Sequence, residues 1–131
     1  KLFIHENFDV NRLFENFSSY AEIYQHTKYA NNYDYYKSIY LLNQENFLDN
    51  GFVLLKEDSA YSSPVGCVYY EKYHSSSHLK DRLLFDKNLL QCVVTKYNLV
   101  PGTVKFGETQ FPGLWDYADN VDTMNFLLNL S

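Results

Sequence analysis

The chain has 131 residues, 46% hydrophobic and 18% aromatic, with a formal charge of −5 at neutral pH. That length suits one domain with a real core, and an acidic balance without a basic run excludes a nucleic-acid groove, which needs clustered Lys and Arg. No apolar run approaches membrane-spanning length, no signal-peptide pattern opens the chain and two cysteines make no disulfide framework, so a cytoplasmic protein is expected.

Leu2–Ile4 is predicted as a short strand, closed by His5-Glu6-Asn7. The chain starts on this apolar run with Lys1 in place of an initiator methionine, and is expected to be a piece of a longer one. Asn7 or Asp9 can cap a helix whose residues Val10, Leu13, Phe14, Phe17, Ala21 and Tyr24 share one face. From Lys28 to Asn43, Tyr29, Tyr33, Tyr36 and Tyr40 follow steps of four, three and four, which predicts a second helix. Its tyrosine stripe is either an aromatic binding surface or, the reading preferred here, a face packed on a sheet.

Asn50-Gly51 signals a turn, and Phe52–Leu55 a short strand. The near-continuous apolar run Val65-Gly66-Cys67-Val68-Tyr69-Tyr70 predicts a strand buried on both faces, as in a parallel sheet. His74–His78 is a linker and cap, Leu79, Leu83 and Leu84 belong to a third helix, and Leu89–Thr95 is predicted as another buried strand. Cys67 and Cys92, both in strand-like runs, are expected as buried reduced thiols. After Pro101-Gly102, Thr103–Phe106 extends into a loop that carries Phe106, Phe111, Trp115 and Tyr117 among Gly107, Pro112 and Gly113. Such a loop either covers the core or lines a site. Asp119 or Asn120 can cap a terminal amphipathic helix bearing Val121, Met124, Leu127 and Leu128. The order of elements predicts an α/β fold, an open and mainly parallel sheet with flanking helices, in a single domain over residues 1–131.

Candidate chemistry is sparse. His5, His26, His74 and His78 are scattered and complete no zinc set, so no metal is expected. Ser62-Ser63-Pro64-Val65-Gly66 lacks the glycine that a nucleophile elbow needs, and no glycine-rich phosphate loop occurs. Cys67 lies in an apolar strand, the wrong setting for an activated thiolate. No catalytic residue is expected within this chain.

Several segments resemble one family. The tail Phe106–Gln110, Pro112, Leu114–Met124 and Phe126–Leu128 is similar to the carboxyl end of the LuxC-type long-chain acyl-CoA reductases, as found in bacteria. Leu48–Phe52, Ser62–Gly66 followed by Tyr69-Tyr70-Glu71, and Leu90–Val94 resemble family segments in the family's order. The resemblance implies an aldehyde dehydrogenase-like fold and reduction of fatty acyl-CoA to fatty aldehyde with NADPH, through a cysteine thioester. It also implies that the nucleotide-binding domain and the nucleophile precede the segment matched by Leu2–Ile4. The chain would then be the inactive carboxyl-terminal part of a catalytic domain, with the rest of the parent enzyme as its partner and self-association through the surface so exposed.

By the same resemblance Phe106 and Gly107 line the substrate path, and Ser62, Ser63 and Pro64 lie near the nicotinamide; Phe111 and Trp115 are expected to add apolar walls for a fatty chain. The glutamate and phenylalanine that the family pattern has there fall near Ala60 and Ser62, a departure from that pattern. The competing expectation is a free-standing, non-enzymatic α/β binding or interaction module.

Overall fold

The tyrosines spaced at four, three and four form one face of α2 (Thr27–Leu42), and that face is the core of the amino-terminal half. Tyr33 and Tyr40 are buried against Leu54 and Cys67, with Tyr29, Tyr36, Ile39 and Phe47 packed around them. The stripe is therefore packing, as preferred from the sequence. The computed structural model of the chain describes residues 1–114, 116, 117 and 121–130. It divides into two compact units, Lys1–His74 and Ser75–Ser131.

The first unit holds a four-stranded sheet in the order β1-β4-β3-β2. Here β1 is Leu2–His5, β2 Leu48–Asp49, β3 Leu54–Glu57 and β4 Cys67–Tyr73. β4 pairs in parallel with β1 (Leu2 opposite Tyr70) and with β3 (Leu54 opposite Cys67). Only β2 runs antiparallel, on β3. The fold is thus mixed α/β with a small, mostly parallel sheet. Leu54 and Leu55 are both fully buried, and removing each side chain from water contributes about 2 kcal/mol.

Three boundaries differ from expectation, each for a local reason. β3 begins two residues late because Asn50 Oδ1 accepts the N–H groups of Phe52 and Val53 at 3.2 and 3.0 Å. That side-chain turn occupies donors that a strand would use. The first helix is not continuous: α1 covers Asn11–Phe17 and a 3-10 helix follows over Ser18–Gln25. Asn16 Nδ2 donates to Arg12 O at 2.8 Å and Ser18 Oγ to Glu15 O at 2.7 Å, so polar side chains engage carbonyls at the break. β4 continues to Tyr73, since its partner β1 supplies pairing as far as His5.

In the second unit α3 (Ser76–Phe85) buries Leu79 and Leu83, four residues apart on one face. The expected buried strand Leu89–Thr95 is a correction: Leu89 closes a 3-10 turn, and β5 is only Val93–Val94, paired in parallel with β6 (Thr103–Val104). A two-residue ladder covers little, and Cys92 is exposed, against the expectation of two buried thiols. α4 spans Thr123–Leu128 and is capped by Asp122, whose Oδ1 accepts from Asn125 N–H at 2.9 Å. Asp119 and Asn120, the expected caps, lie outside the described residues. No described helix is long and apolar enough to cross a membrane.

Candidate functional site

Two polar clusters hang on the tyrosine face of α2. In the first, Asp49 Oδ1 accepts from Tyr33 Oη at 2.6 Å and from Gly51 N–H at 2.8 Å. Lys37, one helical turn beyond Tyr33, places Nζ 2.7 Å from Asp49 Oδ2 and 3.4 Å from the Tyr33 hydroxyl. Burial works against a charge on Asp49, yet Lys37, Tyr33 and the Gly51 N–H outweigh it and hold the carboxyl below its ordinary value. Burial, then the bond to Asp49, pushes the Tyr33 phenol up to about 12. At neutral pH this is a closed set of one cation, one anion and one neutral phenol, each satisfied by the others. It ties α2 to the turn after β2.

The second cluster surrounds Lys56 of β3. Its ammonium pairs with Glu45 and lies 3.1 Å from Asp58 Oδ2. It stands 5.0 Å from the ring centre of Tyr40 and 5.6 Å from that of Tyr69, within range of a cation–π attraction. The bond to Glu45 raises the Lys56 pKa against the effect of burial. The Tyr40 and Tyr69 hydroxyls meet at 3.3 Å. Burial, then that bond, raises the Tyr40 phenol far above its ordinary value. Beside them burial pushes the Cys67 thiol up, so it is a core thiol and a poor nucleophile. Both clusters stabilise ground-state charges; neither provides a group poised to exchange protons near neutrality.

At the carboxyl ends of the parallel strands, His74 Nδ1 pairs with Glu6 and His5 meets Tyr73 edge-on at 5.5 Å. Among the described residues no three His, Cys, Asp or Glu side chains gather to hold a metal ion. One open groove of about 530 Å³ lies along the 3-10 helix, lined by Ser19, Tyr20, Glu22, Ile23, Gln25 and His26. It is built from a single segment and converges no charges beyond Glu22.

The residues singled out from the sequence fall in both units. Ser62, Ser63 and Pro64 form the turn into β4. Ser63 Oγ donates to Cys67 O at 2.9 Å, and Pro64 O accepts the Cys67 N–H at 3.0 Å, leaving the Ser62 side chain exposed. Phe106, Gly107 and Phe111 lie beyond β6, with Gly107 at φ +83°. Phe106 is 72% exposed and Phe111 79%. Trp115 is outside the described residues. The Tyr33–Lys37–Asp49 and Lys56 clusters were not foreseen. Lys37 at four residues from Tyr33 was a legible signal, but Asp49 and Glu45 reach these helices and strands only through the fold. No protein-family model, curated protein or solved structure matches the chain.

Proposed function

We propose that this chain is the carboxyl-terminal part of the catalytic domain of an NADPH-dependent long-chain acyl-CoA reductase. The ordered series of family-like segments supports this reading, and so does the small, mostly parallel sheet around β4. The observation that carries it furthest is the turn at Gly107, which leaves the rings of Phe106 and Phe111 open to an apolar ligand.

NADPH, when bound, supplies the hydride. The described residues fit an edge contact with it and no more, because Gly66 is packed on Tyr33 and Ser63 is tied to Cys67, leaving the Ser62 hydroxyl. The cofactor is then held mainly by the rest of the parent enzyme. That part also provides the cysteine that displaces coenzyme A from the acyl group, since the resemblance puts the nucleophile before Leu2, at neither Cys67 nor Cys92, and Cys67 is buried with a raised pKa. In this chain Phe106 and Phe111 would offer apolar walls to the fatty chain.

The test is Phe106→Ala in the product of the complete reading frame, assayed by NADPH oxidation with acyl-CoA substrates of different length. A folded variant impaired more on long than on short acyl-CoA supports the reading; equal loss at all lengths with a lowered Tm would contradict it. A second reading, a non-enzymatic interaction module, is favoured by the wide apolar exposure of the second unit, where Phe85 is 88% and Leu114 98% exposed. It predicts no NADPH oxidation with any acyl-CoA.

A further inference from the structure

Asn50-Gly51 is the one Asn-Gly pair in the chain. Asparagine is thermolabile because the next amide nitrogen can attack its side-chain carbonyl carbon, and a following glycine has no side chain to hinder the approach. Gly51 holds φ +96°, and a Cβ placed on it would meet nothing within 4 Å. Gly51 is exposed and Asn50 half-buried, so water reaches the turn.

Hydrogen bonds restrain the pair. The Gly51 N–H donates to Asp49 Oδ1 at 2.8 Å, while Asn50 Oδ1 accepts the N–H groups of Phe52 and Val53. The α2 helix then fastens the turn on both sides. Tyr33 Oη and Lys37 Nζ hold the Asp49 carboxylate at 2.6 and 2.7 Å, and Tyr29 Oη donates to Phe52 O at 2.8 Å. Phe52 and Val53 are buried, which anchors the far end.

We propose that Asn50 is a latent deamidation site, silent while α2 grips the turn and modified when the turn opens. Once the turn opens, the Gly51 nitrogen bonds to Asn50 Cγ and the Cγ–Nδ2 bond breaks. The Gly51 proton passes through water to the departing nitrogen, which leaves as ammonia, and a cyclic imide remains. Water then opens the imide at either carbonyl, so one water enters, one ammonia leaves and no oxidation state changes. Attack at Cγ gives aspartate, which still offers an acceptor to the Phe52 and Val53 N–H groups, and the turn recloses. Attack at the main-chain carbonyl gives isoaspartate, whose backbone runs through Cβ and Cγ and gains one atom. Tyr29 and Tyr33 are anchors four residues apart on one helix, and the lengthened turn does not fit both. One opening event thus becomes a permanent break between α2 and the turn from β2 to β3. The inference does not depend on the reductase reading.

The 131-residue chain is incubated at neutral pH, in buffer and in unfolding urea, and followed by peptide mapping. Deamidation reads as a mass increase of about 1 Da, and isoaspartate as methyl transfer by an isoaspartyl methyltransferase with a labelled methyl donor. The rate in buffer is expected to be at least about tenfold below that in urea, the factor implied by breaking two or three ordinary hydrogen bonds. Tyr29→Phe removes one anchor and keeps the ring; it should speed the reaction of the native chain several-fold, with circular dichroism unchanged. Gly51→Ala should slow the reaction in urea, which identifies the nitrogen that attacks. The comparison of buffer with urea stands even where a variant loses its fold. Equal rates in buffer and urea overturn the proposal, and so does a folded Tyr29→Phe chain no faster than wild type, or an asparagine other than Asn50 reacting first.

Discussion

Replacing Gly66 by alanine tests the packing of α2 on the sheet at a point of close approach. Gly66 precedes β4, holds φ +83°, and accepts the Leu54 N–H through its carbonyl at 2.9 Å. An added Cβ would stand 2.9 Å from Tyr33 Cα, 3.0 Å from Tyr33 Cβ and 3.2 Å from Tyr33 N. These are helix backbone atoms and the root of a side chain that is 2% exposed, so none can swing aside. The left-handed conformation costs a non-glycine residue about 1–2 kcal/mol, and forcing a methyl into a packed interface adds roughly 1–3 kcal/mol. A loss of about 3 kcal/mol is expected, which in a unit of this size lowers Tm by roughly 12 °C or more. Gly51→Ala is the internal control. Gly51 has φ +96° and nothing within 4 Å of its would-be Cβ, so it incurs the conformational cost alone, about 1 kcal/mol. Urea unfolding followed by the tyrosine signal near 280 nm, about the wavelength at which buried rings report, separates the two. Equal losses for the two variants would refute the close approach.

The Tyr33–Lys37–Asp49 set predicts opposite pH limbs. Asp49 is held low in the folded chain, so its contribution is present above the ordinary carboxylate value of about 3.9 and is lost as pH falls through the lower folded value. Tyr33 is held high, so its contribution is present below the ordinary phenol value near 10 and is lost as pH rises through about 12. Asp49→Asn should shrink the acid limb of stability against pH, and Tyr33→Phe the alkaline one; an unchanged limb in either variant counts against the cluster. Tyr33→Phe should also cost about 1.5 kcal/mol at neutral pH, read from the urea midpoint, because a bond to a carboxylate is lost. A chromogenic disulfide reagent should modify Cys92 in the native chain at once and Cys67, 5% exposed, only as the core opens. Two thiols reacting together without denaturant would contradict the burial of Cys67.

The elements legible in the sequence were those whose signal is periodic and whose partners lie close by. α2 was foreseen from its tyrosine spacing, and the parallel strand β4 from the near-continuous apolar run after Pro64; the expected burial on both faces is corrected, since only Cys67 of β4 is buried, Lys72 is exposed and the rest is half-buried. The helix starting near Val10 was foreseen as one piece, but Asn16 and Ser18 bond to carbonyls of the preceding turn, an effect that hydrophobic spacing does not carry. Leu89–Thr95 shows the limit of an apolar run as evidence. Its β-branched residues Val93 and Val94 do form a strand, but burial depends on what the rest of the chain lays over it, and Leu89 and Cys92 stay exposed. The site was less legible than the fold. Tyr33, Lys37 and Asp49 lie on two elements, and their meeting depends on how α2 crosses β2, which no spacing within either element encodes.

The reductase account is tested most directly by locating the acyl group. The product of the complete reading frame, incubated with radiolabelled palmitoyl-CoA in the absence of NADPH, should form a thioester on one cysteine outside residues 1–131, and added NADPH should release it as the aldehyde. Peptide mapping of the trapped protein reads the position. A thioester on Cys67 or Cys92, or a fully folded protein that takes up no label, would contradict the account.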